Sequence, residues 1–486
     1  MDGMFKYYLE FYNKMLENIT RYYRLSAKIF ESYFSKYNTS NENTVEQMEG
    51  TFWANGHDIY NYIARYGVSN NQIQAILKLD GKLDFDKLKQ AVRLSVDSEP
   101  VFKSRFIEDI KPYWKILENV GIVDFCTLLE TDDLELAIDD FIQAPVDLDK
   151  DPMVKVKLIR SEQHDVLGLK INHACCDGTG VKEYIQLLSR IYTSENKDNG
   201  SYVPIPRIAG RRDQDRLFEA LGMANPDLEF MPGTDIFHPM WPFPWEHSGS
   251  NISCMSVCRL PVGCLDAMRE YVKRVGVTLN DYILTACYRA MLEIKQPIYG
   301  WPMEFPITVD LRRYLPDHKT HAIRNFSGSV RTSLSMKIDE PFDKTLQRVS
   351  SMMKELKQNY PGLQSAIGLE RIEKVGYSDT LLYYQAVSDT KKSGSFCPLY
   401  CGDKCIPTLS NVGYLSTSQI KFDDKTVIDA YILPPVVRSP GLLLMASSYN
   451  SVLTLAAGYY KSTVNGEYID KLLKKIKDEL NSGYGG

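Results

Sequence analysis

The sequence predicts a mixed α/β (α+β) fold in two halves, and three observations predict it. From about residue 74 onward, short runs with alternating apolar residues exchange with segments whose apolar residues recur at helical spacing. A long connection rich in Pro, Gly and polar residues, from Glu195 to about Asn251, interrupts that succession near its middle. The chain has 486 residues, 44% of them apolar, which is enough to fill two cores of ordinary size. These observations divide the chain into a leader and linker over 1–50, a first half over 51–200, a connection over 201–255 and a second half over 256–486.

Residues 1–36 open the chain with Phe5, Tyr8, Phe11, Tyr12, Met15, Ile19, Tyr22, Tyr23, Phe30 and Phe34 at helical spacing, which predicts amphipathic helices. Six Lys/Arg stand against four Asp/Glu there, so the polar face is not strongly cationic. Packing on its own protein or on a partner suits that face better than peripheral contact with a membrane surface. Residues 37–50 are polar and acidic and form a linker.

In the first half, Ile76 to Leu79 reads as a strand that leads through a Gly81 turn into a helix with Leu88, Ala91, Val92 and Val96 on one face. Pro100 stops that helix, and a strand is expected from Val101. Asp165 to Asn172 (DVLGLKIN) alternates as a half-buried strand. Val181, Tyr184, Ile185, Leu187 and Leu188 predict a helix beginning near Gly180. Trp241, Phe243 and Trp245 are expected to tack the connection onto the body of the protein.

The second half opens with a strand at MSVCRLP and a helix from about Leu265 to Val272. Thr278 is the expected N-cap of the next helix, whose apolar face is Ile283, Leu284, Ala286, Cys287 and Ala290. Strands are expected over Phe305–Leu315, Ile323–Met336 and Leu409–Thr417, and two strands with a turn over Gly441–Gly458. A charged amphipathic helix, Tyr468 to Leu480, follows.

A net charge of −5 and the absence of Lys/Arg-rich runs give no reason to expect nucleic acid. No apolar stretch is long and uninterrupted enough to span a membrane, and the N-terminus lacks the pattern of a signal peptide. The ten cysteines are accordingly expected as reduced thiols in a cytoplasmic protein. Cys397, Cys401 and Cys405 lie four residues apart without a nearby histidine, a spacing that does not suit zinc or an iron–sulfur cluster, so no metal is expected. No phosphate-binding or dinucleotide-binding glycine motif is present.

The stretch Lys170–Arg190 carries the candidate chemistry. His173 follows the end of a strand, where a general base can reach a cleft while the sheet holds its backbone. A histidine there is also a common structural residue. Asp177 could simply cap the following helix, and Gly178 could simply allow a tight turn. Cys175 and Cys176 raise a rival mechanism, a Cys–His nucleophile pair, although cysteine is often a small buried residue. His57 is a further candidate, on the acceptor side.

NHACCDG, Asn172 to Gly178, resembles the HHxxxDG signature of nonribosomal-peptide condensation domains. It is still closer to the HxxxDG form of alcohol acetyltransferases, BAHD acyltransferases and the chloramphenicol-acetyltransferase-like superfamily. The flanks resemble the same family in order: Gly81–Asp84 (G-x-L-D), Pro100–Phe106 (P-x-x-x-x-R-F) and Phe141–Arg160, with Val146 where the family has Phe. Val277–Asp281 (V-T-x-N-D), Arg324–Phe326 in place of G-N-F, and Ser410–Gly413 (S-N-x-G) follow.

The resemblance implies two chloramphenicol-acetyltransferase-like subdomains forming a V-shaped pseudo-dimer with a central active-site tunnel. It implies acyl transfer from a thioester to a hydroxyl or amine, with His173 as base. Asp177, Gly178 and Arg312 would be structural, Arg312 being the first candidate partner of Asp177 and Arg313 the second. Asn172, Asn325, Ser410 and Asn411 are candidates for oxyanion or substrate contacts. No cofactor is bound; acyl-CoA, or an acyl-pantetheinyl carrier, is the co-substrate, beside a small-molecule acceptor. Asn172 stands where condensation domains have their first His, which favours the acetyltransferase-like branch. A free-standing condensation enzyme served by a partner carrier protein, and a non-catalytic binding relative, remain the alternatives.

Overall fold

The computed structural model describes residues 49–194, 202–210, 212–223, 241–246, 250, 252–297, 302–382, 385 and 404–483. The leader, nearly all of the linker to residue 50, and Cys397 and Cys401 lie outside the described residues.

The first half runs β1 (Thr51–Trp53), α1 (Gly56–Ile63), β2 (Gln72–Leu79), α2 (Phe85–Ser98), β3 (Ser104–Ile107), β4 (Tyr113–Ile116) and β5 (Cys126–Glu130), then α3 (Leu134–Gln143), β6 (Val154–Arg160), β7 (Asp165–Asn172) and α4 (Gly178–Ser194). The connection contributes α5 (Arg212–Ala220) and β8 (Trp241–Pro242). The second half continues with β9 (Ser253–Arg259), α6 (Cys264–Val275), α7 (Leu279–Ile294), β10 (Pro302–Asp310), β11 (Ser327–Ser335), α8 (Phe342–Lys357) and α9 (Leu363–Val375). It closes with β12 (Lys404–Tyr414), β13 (Lys421–Phe422), β14 (Lys425–Leu433), β15 (Gly441–Tyr449), β16 (Val452–Tyr460) and α10 (Gly466–Ser482).

Local chemistry sets the helix starts. Asn55 and Asp58 form a capping box on α1, Asp84 caps α2, Asp133 caps α3, and Thr278 with Asp281 forms the box on α7. These side chains take up backbone N–H groups that a first helical turn leaves without partners.

Strand alternation then sorts the core. Ala75, Leu77 and Leu79 of β2 and Leu167, Leu169 and Ile171 of β7 share one cluster with the apolar faces of α2 and α4. Ile76, Val166 and Ile159 point to the opposite face, against Ala137, Ile138, Phe141 and Ile142 of α3. The second half has its own cluster, in which Met303, Phe305, Leu444 and Leu455 of the sheet meet Leu265, Leu284, Tyr288, Val349 and Leu473 of the helices.

The first sheet has six strands in the order β13-β14-β2-β7-β6-β5. Its β14 comes from the far end of the chain and pairs Tyr431 with Ile76 and Leu433 with Gln74. The second sheet runs β11-β10-β12-β15-β16-β9, with β8 added at β12. From Gly50 on, the described residues fold as one unit, and strand pairing across the two halves of the sequence is part of the reason. Among the described residues no helix is long and apolar enough to cross a membrane.

Several elements differ from the sequence reading. The expected strand from Val101 is preceded by a 3₁₀ turn, Pro100–Lys103, because Pro100 at its first position presets the backbone for it. Strand β10 ends at Asp310 instead of continuing to Leu315, and Leu311–Tyr314 is a 3₁₀ turn capped by the Asp310 side chain. Strand β11 begins only at Ser327, because the Ile323 and Phe326 N–H groups are taken up by the Glu99 and Asp177 carboxylates instead of by a neighbouring strand. The connection holds a helix, α5, whose Leu217 and Phe218 pack with Leu311, Phe326 and Ile367. Trp241 and Phe243 are fully buried, and the Trp241 indole N–H donates to the Glu304 carbonyl at 2.8 Å, tacking the connection down as expected.

Gly56 shows how closely α1 approaches α9. A Cβ there would lie 1.9 Å from the Leu369 carbonyl oxygen, a backbone atom that cannot rotate away. Gly56→Ala is expected to lower the unfolding free energy by about 1–3 kcal/mol in urea denaturation. An unchanged midpoint and slope would show that α1 and α9 do not approach so closely in solution.

Candidate active site

The turn between β7 and α4 is built from main-chain and carboxylate contacts before any chemistry is considered. The His173 N–H donates to the Asn71 carbonyl at 2.8 Å, continuing the β2–β7 pairing that ends at Gln72 and Asn172. The Asn172 side-chain oxygen accepts from the Ala174 N–H at 2.9 Å, which folds the chain sharply after the strand.

Asp177 then caps α4. Its Oδ1 accepts from the Gly180 N–H at 2.8 Å, and its carbonyl accepts from the Val181 N–H at 2.9 Å. The same carboxylate reaches the second half of the sequence. Oδ2 accepts from the Phe326 N–H at 2.7 Å and from Arg312 Nη1 at 3.0 Å.

Arg312 is 2% exposed and meets three carboxylates: Asp177, Asp310 at 3.2 Å and Glu183 at 3.2 Å. Its Nη2 also donates to the Arg324 carbonyl at 2.9 Å. Burial works against the Asp177 charge, but the Arg312 guanidinium and the two N–H donors hold its pKa below the usual carboxylate value. Burial likewise works against the Arg312 charge, and the surrounding carboxylates more than compensate, raising its pKa. Arg313, the other candidate partner, is exposed and lies over the Tyr314 ring.

Gly178 has a close neighbour. A Cβ there would sit 2.4 Å from Val412 Cγ1 of β12, and the Lys182 ammonium donates to the Val412 carbonyl at 2.6 Å. Strand β12 thus docks directly against the start of α4.

His173 is half-buried on this mount. Burial lowers its pKa from the ordinary imidazole value, outweighing its own main chain, the Asp177 charge and Asn325, all of which pull upward. Asn325 lies beside it: Nδ2 donates to the His173 carbonyl at 2.7 Å and to the Ala174 carbonyl at 2.9 Å, while Oδ1 lies 3.2 Å from His173 Nδ1.

The remaining candidates are held elsewhere. Ser410 accepts from the Thr308 hydroxyl at 3.1 Å, and Asn411 donates to Asn280 at 3.3 Å while accepting from the Gly413 N–H at 3.0 Å. Cys175 and Cys176 are fully buried, and burial pushes both thiols well above the usual cysteine pKa, so neither is poised as a thiolate.

His57, expected on the acceptor side, is 2% exposed with its ring against Phe326 at a centroid distance of 6.2 Å. Burial, then the nearby Arg324 charge, lowers its pKa to about 3. Two groups escaped the sequence reading altogether. Glu183 meets Arg312 from the second turn of α4, and Glu99 accepts from the Ile323 N–H at 3.0 Å while pairing with Arg207. A carboxylate directly before Pro100 was the only local signal for Glu99.

Residues 68–208 match the family model described as Condensation domain. Gramicidin S synthase 2 of Aneurinibacillus migulanus is 29% identical over 314 residues, 62% of this chain, and the chain spans 6% of that protein's length. By fold, TRI3 trichothecene 15-O-acetyltransferase of Fusarium sporotrichioides superposes with a TM-score of 0.64 at 13% identity, over 89% of this chain and 95% of that one. The condensation domain of the monacolin K polyketide synthase MokA superposes with a TM-score of 0.62 at 11% identity, over 91% and 99%. Both likenesses are of fold.

Removing the carboxylate of Asp177 leaves Arg312 and two main-chain donors buried without it. Asp177→Ala is expected to cost about 3–5 kcal/mol of stability in denaturant unfolding; a loss under about 1 kcal/mol would contradict the buried pair. His57 gives a pH-dependent expectation. Its folded pKa lies below the unfolded value, so the unfolded chain binds more protons and this group's contribution is lost as pH falls from about 6.5 toward 3. By pH 5 that loss is roughly 2 kcal/mol. Asp58 and Glu99, raised by burial to about 6 and about 7, pull the opposite way as pH rises. The difference in pH slope between wild type and His57→Gln isolates the histidine, and parallel slopes would refute its assignment as a buried neutral group.

Proposed function

We propose that the chain, which matches the Condensation domain model over residues 68–208 and shares the fold of TRI3 and of the MokA condensation domain over most of its length, is an acyltransferase. It moves an acyl group from a thioester, acyl-CoA first, to a hydroxyl or amine acceptor, with His173 as general base. The observation that carries the reading is a half-buried imidazole, its pKa lowered by burial, on a turn clamped through Asp177 to the second half of the sequence.

The neutral ring accepts the acceptor's proton as its oxygen or nitrogen attacks the thioester carbonyl carbon. The tetrahedral adduct then collapses, the carbon–sulfur bond breaks, and the imidazolium returns the proton to the leaving thiolate. The products are an ester or amide and a free thiol, and no covalent enzyme intermediate is needed. Asp177, Gly178 and Arg312 hold the turn and take no proton. Such a reaction depends on positioning two substrates, which the fold can supply. The cytoplasm, where acyl thioesters and reduced cysteines coexist, is the compartment that fits.

A second reading shares this chemistry and changes only the donor. Condensation domains work on thioesters borne by carrier proteins, and the match of residues 68–208 to that family favours a carrier-bound acyl group as the alternative.

The test is thiol release from a panel of acyl-CoAs and acyl-carriers with mixed alcohols and amines. His173→Ala, with its fold checked by circular dichroism, is expected to lose roughly 10²–10⁴-fold in rate. Turnover with carriers alone moves the donor to the second reading, and equal turnover by both proteins removes His173 as base. The acid limb of kcat/KM is expected to fall below about pH 6.5, the ordinary imidazole value, because burial lowers the His173 pKa. A limb above that value would contradict a neutral, desolvated base.

A further inference from the structure

We infer that residues 202–210 form a strap that lifts from the body of the protein as a local unit, and that Glu99 is the pH-sensitive fastening that seats it. The inference goes beyond the acyl-transfer reading and does not rest on it.

The strap belongs to the connection between the two halves and runs just ahead of α5. It enters no helix and pairs with no strand, and of its side chains only Ala209 is buried. Val203 and Ile205 are 76% and 74% exposed. A segment with so few buried apolar contacts opens at a lower free energy than the core. Its attachments are polar and few. The Tyr202 hydroxyl lies 3.0 Å from Ser98 Oγ, the Arg207 N–H donates to the Ser98 carbonyl at 2.8 Å, and the Arg207 guanidinium pairs with Glu99 Oε1. At the far end, the Gly210 carbonyl accepts from Arg324 Nη1 at 2.7 Å.

The strap, the end of α2 and the loop before β11 meet at Glu99. Its side chain is fully buried, and Oε2 accepts from the Ile323 N–H at 3.0 Å. Arg207 faces it from the strap and Glu183 from α4. Lys103, on the 3₁₀ turn that follows α2, pairs with Asp97, and Arg324 of the loop turns to Gly210 and Asp213. Burial outweighs Arg207 and the Ile323 N–H and raises the Glu99 pKa to about 7, with Glu183 acting in the same direction.

Lifting the strap lets water reach this carboxyl, whose pKa then falls toward the ordinary 4.5. The lifted state binds fewer protons than the seated one between those two values, so rising pH favours lifting. The cause is a carboxylate that the seated strap buries beside a cation which itself stays partly in water. The segment that Glu99 holds through Ile323 runs on to Asn325 and Phe326, whose contacts are with His173 and Asp177. The seat of the strap and the mount of the candidate site thus share one loop.

Amide hydrogen exchange of the full chain, followed by NMR without substrate and corrected for the intrinsic pH dependence of exchange, tests this. The opening constant reported by the Arg207 and Ile323 amides is expected to be about 10-fold larger at pH 8 than at pH 6, the ratio that pKa values of about 7 seated and 4.5 lifted require. Amides of β2 and β7 are expected to keep their protection at both, which marks the opening as local. Glu99→Gln, uncharged throughout, is expected to abolish the difference. Equal opening of the wild-type strap at the two pH values overturns the inference, whether or not the variant folds. A folded Glu99→Gln that keeps the 10-fold difference also overturns it, as does loosening shared by β2 and β7. None of these readings requires acyl transfer, so the strap stands or falls apart from the proposed activity.

Discussion

One buried carboxylate, that of Asp177, holds the candidate site together. It accepts from the first turn of α4, from the main chain leading into β11 and from Arg312 at the end of β10. An isolated carboxylate at 4% exposure would be strongly unfavourable. It is tolerated because these donors converge on it, and they converge only when both halves of the sequence are in place. Buried pairs of this kind add little net stability but are costly to break. The arrangement therefore specifies geometry more than it supplies free energy. Glu99, on the neighbouring side, also joins the end of α2 to Ile323 and to Arg207 of the connection, but there burial outweighs the donors and raises its pKa to about 7.

This anchoring leaves the imidazole of His173 outside the ion-pair network. Asp177 faces away toward Arg312, so its charge only moderates the effect of burial on His173. Had the carboxylate bonded the ring directly, the imidazolium would have been favoured and the fraction of free base at neutral pH would have fallen. Contact with a neutral amide oxygen orients the ring without that cost. Burial acts differently on Cys175 and Cys176, whose thiols it makes inert beside the histidine.

Much of the framework was legible in the sequence because it is set by local rules. The alternation over Gly441–Gly458 gives β15 and β16 with their turn, and Thr278 with Asp281 gives the start of α7. Local pattern failed where distant partners decide. Nothing in Lys425–Leu433 says that it pairs with β2 instead of joining the second sheet. The 3₁₀ turn at Pro100 and the end of β10 at Asp310 replace extended readings because single side chains redirect the backbone. At the site, the motif drew attention to His173 and Asp177, but the approach of Asn325, Glu183 and Glu99 is a product of tertiary packing. His57 shows the same limit: nothing local says that this histidine is buried against Phe326 with the Arg324 charge nearby.

The glycine after Asp177 shows why a motif can be short and still demand so much. No left-handed backbone is required at Gly178, so conformational freedom is not the reason for it. What requires glycine is the approach of Val412, which leaves no space for a Cβ. Val412 sits where β12 changes register between Asn411 and Gly413, so the strand bends toward α4 at that point. Lys182, one helical turn on, fastens the same carbonyl. Aspartate and glycine thus act on different partners: one draws in β10 and the approach to β11, the other admits β12. Together they bring three parts of the second half against the turn that carries His173, and neither residue needs to touch a substrate to be indispensable to that arrangement.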